Sequence, residues 1–130
     1  MSVAASEMGA LRTSLHRRAV TATLQEVAST LQDVLSRPLT AYIAGVKEGK
    51  TVHRWATGEI AVVRYLATEQ RLRTAYEITQ LLLQEEGAST VRAWFLGMDP
   101  YLEDRSPAET LRGGQHKEAL EAALVFLANG

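Results

Sequence analysis

Apolar residues recur at three- and four-residue spacing along almost the whole chain, and no stretch alternates long enough to make a strand. The first dozen residues carry no such pattern and are expected to be loose. From Ser14 to Ser36 the stripe Val20, Leu24, Val27, Ala28, Leu31, Val34 and Leu35 predicts a long helix, which Ser36-Arg37-Pro38 ends because a residue before proline avoids the helical region. Pro38 suits the first turn of a short helix running to Ala44. Gly45 and Gly49 bracket a turn, and a second short helix stops at Gly58. A connector over 59–65 leads to a second long helix, about Thr68 to Glu86, with Leu72, Ala75, Tyr76, Thr79, Leu82 and Leu83 on one face. Gly87 stops it, and Ser89 is placed as the cap of a short helix ending near Leu96. A turn at Gly97-Met98-Asp99-Pro100 and an irregular stretch to Arg105 follow. Ser106 with Pro107 and Glu109 spells a capping box for another short helix. After Gly113-Gly114 a final helix, about Gln115 to Ala128, carries Leu120, Ala123, Leu124 and Leu127. The fold class is therefore all-α: a loose 1–13, a long helix plus bihelix over 14–66, and a helical back half over 67–130.

The two short helices hold the most informative pattern. On the second, Val52, Trp55 and Ala56 can bury together, while Lys50, His53, Arg54 and Thr57 share the other side. That stripe holds donors and no acid. A helix with an aromatic anchor behind and Lys, His, Arg and Thr in front is what a helix-turn-helix presents to a major groove. Arg54 is the candidate reader of guanine, Lys50 the candidate phosphate contact, and Thr51 and Thr57 reach phosphate or a thymine methyl. Lys47 extends the backbone contact from the turn. Trp55 is assigned to the core, against Leu39, Tyr42 and Ile43. The alternative is that the bihelix is a packing unit only. His16, Arg17 and Arg18 form a second basic cluster, equally explained as a solvated helix start.

Composition changes the picture in three ways. The net charge of −1 is neutral on nucleic acid, but residues 1–73 hold ten Lys/Arg against six Asp/Glu, a net of +4, and residues 74–130 hold four against nine, a net of −5. With 46% hydrophobic residues in 130, the chain can build a sizeable core, and its lack of cysteine excludes disulfides and thiolate metal sites. No run has signal-peptide or membrane-span character, so a cytoplasmic protein without membrane partners is the expectation. His16, His53 and His116 fall on different helices at no chelating spacing, so no metal or other cofactor is expected. There is no nucleophile elbow and no P-loop, and Glu85 and Glu86 are adjacent and diverge. An enzyme is not expected.

Three blocks, TVHRWATGE at 51–59, RLRTAYEITQLLL at 71–83 and VRAWFLGMDPYLEDRSPAETLRGGQHKEALEAA at 91–123, resemble the Xre/MbcA/ParS antitoxin family over about residues 37–130. Trp94, Pro100, Leu102, Arg105, Pro107, Leu111, Gly113, Gly114 and Leu120 occupy its C-terminal pattern. Many relatives carry a Pro-Asn step and a Gly pair where this chain has Met98-Asp99-Pro100 and Glu103-Asp104. The resemblance implies a type II antitoxin that covers the active site of a NAD-degrading RES-domain toxin and represses its operon by binding operator DNA, as a homodimer or larger assembly. The toxin contacts it implies are Trp94, Tyr101, Leu102, Arg105, Arg112, Gly113, Gly114, Val125, Phe126, Asn129 and Gly130. Val125 and Phe126 also fall off the stripe of the last helix. The other readings are a stand-alone dimeric repressor and a helical adaptor that does not bind DNA.

Overall fold

The computed structural model describes the backbone of residues 5–129 and the side chains of residues 7–129. Gly130 and residues 1–4 lie outside the described residues. Within them the chain is all-α, with eight helices and no strand. They are α1 (Ala5–Thr21), α2 (Leu24–Leu35), α3 (Arg37–Ala44), α4 (Gly49–Ala56), α5 (Leu66–Leu82), α6 (Ala88–Leu96), α7 (Pro107–Arg112) and α8 (His116–Asn129), with a 3-10 turn at Pro100–Leu102. No described helix is long and apolar enough to cross a membrane.

Two expectations for the N-terminal third need correction. Residues 5–13 are helical, not loose. The single helix expected over 14–36 is two helices, broken at Ala22-Thr23. Thr23 is extended, and its hydroxyl accepts from the Glu26 amide at 3.1 Å, the Thr-x-x-Glu cap that starts a new helix. The carbonyls at the end of α1 find their donor far along the chain. The Arg73 guanidinium donates to Ala19 O at 2.9 Å and Ala22 O at 2.7 Å, while its Nε holds Glu69 at 2.9 Å. A cation at a helix C-terminus also meets the negative end of the dipole. The break rotates the stripe: Leu15 and Ala19 are buried, whereas Val20 is 59% exposed.

From α2 onward most of the pattern holds, but α5 ends at Leu82 and not near Glu86, and on α8 the buried residues are Ala119, Ala122 and Ala123, while Leu120, Leu124 and Leu127 are half-buried. Leu24, Val27, Ala28, Leu31 and Leu35 are buried. Ser36 ends α2 with φ 95° and caps α3 by accepting from the Leu39 amide at 3.3 Å. α5 is the central post, packed against α1, α2, α3, α7 and α8. Leu72, Ala75, Ile78 and Leu82 are fully enclosed on it. α6 starts at Gly87–Ala88, so Ser89 lies inside the first turn and is not the cap. Ser106 caps α7 as its sequence predicts, accepting from the Glu109 amide at 3.0 Å. One hydrophobic cluster runs from Leu15 to Ala123 and takes in helices of both halves, so the 14–66 and 67–130 stretches share a core.

Candidate functional site

Two surfaces draw together residues singled out from sequence. The first is the bihelix of α3 and α4. Gly45, with φ 84°, closes α3, and its amide reaches Ala41 O. Gly49 opens α4 so close to α3 that an added Cβ would lie 2.9 Å from the Arg37 Cβ. Val52 and Trp55 are buried behind α4, so Trp55 is a core anchor. Its proposed neighbour Tyr42 is not part of that core. Tyr42 is 41% exposed, and the Arg112 guanidinium sits 4.6 Å above its ring while donating to Tyr42 O at 2.7 Å.

The outer stripe is less free than its sequence implies. Lys47, Lys50, Arg54 and Thr57 are exposed, and Thr51 is half-buried. His53 faces α2 instead: its Nδ1 lies 3.2 Å from Gln32 Oε1 of α2 and 3.0 Å from Arg37 Nη2, and Arg37 Nε donates to the same Gln32 Oε1 at 3.0 Å. Only Nε2 of His53 has no partner within this cluster. The stripe also meets an acid. Glu59, just past the helix, pairs with Arg54 Nε at 3.2 Å. Both partners are largely exposed, so this is a solvated pair of about 0–1 kcal/mol that a phosphate or base can displace.

The second surface lies between α6, the 97–102 turn and α8. Trp94, Met98, Asp99, Tyr101, Val125 and Phe126 line a groove of about 470 Å³, which Asn129 also borders. The Trp94 ring meets Phe95 edge-on at 5.0 Å and leans on Phe126 at 6.3 Å. Met98 is 80% exposed, Leu96 59% and Tyr101 50%, a run of uncovered apolar surface. The turn is shaped locally. The Asp99 carboxylate accepts from the Tyr101 amide at 2.9 Å, and Glu103 and Asp104 both adopt positive φ, which lets the chain return as Asp99 pairs with Arg105.

Of the C-terminal residues named from sequence, Trp94, Tyr101, Val125, Phe126 and Asn129 gather here. Others serve the fold. Leu102 is 2% exposed, and Arg105 turns inward to Gln115 Oε1 and Leu102 O. Arg112 clasps α3, and Gly113 and Gly114 end α7 with φ −76° and 84°. Met98 and Asp99, which also line the groove, were read from sequence only as a turn that departs from the family pattern and were not among the expected contacts. Among the described residues no group of His, Asp and Glu is placed to hold a metal ion. No protein-family model, curated protein or solved structure matches this chain.

Proposed function

We propose that this chain is a type II antitoxin that seats a RES-domain toxin on the α6–α8 groove and binds operator DNA with the α3–α4 bihelix. The observation that carries the partner half is the gathering of Trp94, Tyr101, Val125 and Phe126 around one uncovered apolar groove. The sequence resemblance supplies the class of partner. The DNA half is supported by the outward Lys47, Lys50, Arg54 and Thr57 on a helix anchored by Trp55. The engagement of His53 with Arg37 and of Arg54 with Glu59 favours a second reading, a helical adaptor whose bihelix only packs.

Co-expression with a RES-domain toxin encoded beside this chain tests the first half. Removing α8 is a poor variant, because Ala119 and Ala123 are fully buried in the core. Tyr101→Ala with Val125→Glu changes only exposed positions and should abolish protection while leaving the thermal melt in place. Retained protection in that variant rejects the groove. For the DNA half, Arg54→Ala should cost roughly 1–3 kcal/mol of operator affinity if Arg54 pairs with a base. Unchanged affinity removes Arg54 from the readout, and no binding by the parent chain at low salt leaves the adaptor.

A further inference from the structure

The groove between α6 and α8 is mainly apolar, with one carboxylate in its lining and others close by in the chain. Asp99 belongs to its lining, and Glu121 receives the Tyr101 hydroxyl at 3.4 Å. Glu103 and Asp104 are exposed on the same turn. None of these four carboxylates has an ion-pair partner among the described residues. Three of the four cations of this part of the chain are directed elsewhere: Arg105 to Gln115 and Leu102 O, Arg112 to the ring and carbonyl of Tyr42, Arg92 to Val34 O at 3.0 Å. The fourth, Lys117, is exposed on α8 four residues before Glu121 and makes no ion pair among the described residues. The turn therefore carries uncovered apolar side chains beside four carboxylates against the one cation not directed elsewhere, Lys117, a net negative surround.

We propose that the groove takes a cationic amphipathic segment of a partner protein, its apolar residues against Trp94, Tyr101, Val125 and Phe126 and its Lys or Arg side chains against Asp99, Glu103, Asp104 and Glu121. This rests on the reading of the groove as the partner site. Charge complementarity selects the occupant: an acidic or neutral helix of the same shape leaves the carboxylates facing like charge or apolar surface. The apolar core sets affinity, and the carboxylates set association rate and partner choice.

The two tryptophans supply the readout, because the Trp55 ring is buried in the core and the Trp94 ring borders the groove. The Trp94 indole N–H is enclosed and has no acceptor, which sets its resonance apart as a reporter. The full chain, labelled with ¹⁵N, is titrated with a synthetic amphipathic peptide carrying lysine at its polar positions, and with a twin carrying glutamate there. The lysine peptide should shift the Trp94 indole signal and leave Trp55 still, and it should bind at least about tenfold tighter than the twin at low salt. Glu103→Gln with Asp104→Asn and Glu121→Gln should cut that preference severalfold, leaving what Asp99 supplies, and Val125→Glu should reduce binding of the twin further. Equal binding of both peptides by the parent chain, binding of neither, or a preference unchanged by the three neutralised carboxylates overturns the proposal. Toxin protection is read separately: a chain that protects cells yet does not discriminate the peptides refutes only this inference, and one that discriminates without protecting refutes only the antitoxin reading.

Discussion

Among the described residues three other than glycine have positive φ, and Ser36 lies furthest from the left-handed helical region. With φ 95° and ψ 159° it occupies a region that is nearly glycine's alone, where a side chain costs on the order of 1–3 kcal/mol. It stays because its hydroxyl caps α3 and its amide closes α2 on Gln32 O. Glycine loses only a few tenths as a cap, so Ser36→Gly should raise the unfolding free energy by about 1 kcal/mol, read as a higher urea midpoint, and Ser36→Ala should lower both. A loss of stability in the glycine variant would show that the hydroxyl outweighs the strain. His116 makes the second residue-scale case. Its Nδ1 is buried without a partner beside α5, and burial first, then the nearby Arg71 charge, hold its pKa below 6.5 against the opposing pull of Glu118. The unfolded chain takes up this proton at higher pH than the folded one. The contribution is thus complete above about pH 6.5 and falls away as the pH drops through that value toward the folded pKa. Unfolding midpoints at neutral and mildly acidic pH should differ more in the parent chain than in His116→Gln.

At the scale of elements, the short helices were legible because their ends are written in local chemistry. Pro38, Gly45, Gly58, Ser106-Pro107 and Gly113 all stand where the helices start or stop. The break between α1 and α2 was equally local, in Thr23 and Glu26, but the apolar stripe ran through it and masked the cap. What holds the break open is Arg73, which no local pattern could reveal. The same limit applies to the bihelix. Periodicity put Val52 and Trp55 on the inner face of α4 but left His53 outside, because its approach to Gln32 and Arg37 depends on α2 and the start of α3 lying alongside, and Glu59 reaches Arg54 only after the chain turns at Gly58. In the C-terminal half, sequence named the groove's aromatic residues together with Leu102, Arg105 and Arg112, because contacts with a partner and contacts with the protein's own core draw on the same residue types. Gly49 gives a prediction at this scale. Helix propensity favours alanine there by about 1 kcal/mol. The 2.9 Å approach to the Arg37 Cβ opposes it, since backbone must move. Gly49→Ala should therefore destabilise the fold by about 1–3 kcal/mol in chemical denaturation and disturb the α3–α4 angle.

For the whole molecule, α5 and Arg112 bind the front and back halves together. α5 touches helices on both sides, and Arg112 carries α7 onto Tyr42 of α3. The basic front and the acidic back of the sequence thus fold around one core. Unfolding should be a single transition. Trp55 reports on the front and Trp94 on the back, so Trp94→Phe and Trp55→Phe variants followed by fluorescence should each melt together with their own far-ultraviolet signal. Separate midpoints within one variant would mean two independent units. The Arg73 clasp adds an order in time. Its guanidinium lies 51 residues beyond the Ala22 carbonyl that it holds. At roughly 5–20 residues per second of synthesis, the end of α1 waits some 3–10 s for its partner. During that interval Thr23 can already start α2, but nothing docks α1 to the body. The N-terminal helix is therefore the last piece of the front half to settle, and until α5 has been made its apolar face of Leu15 and Ala19 is open to chaperones and to other chains.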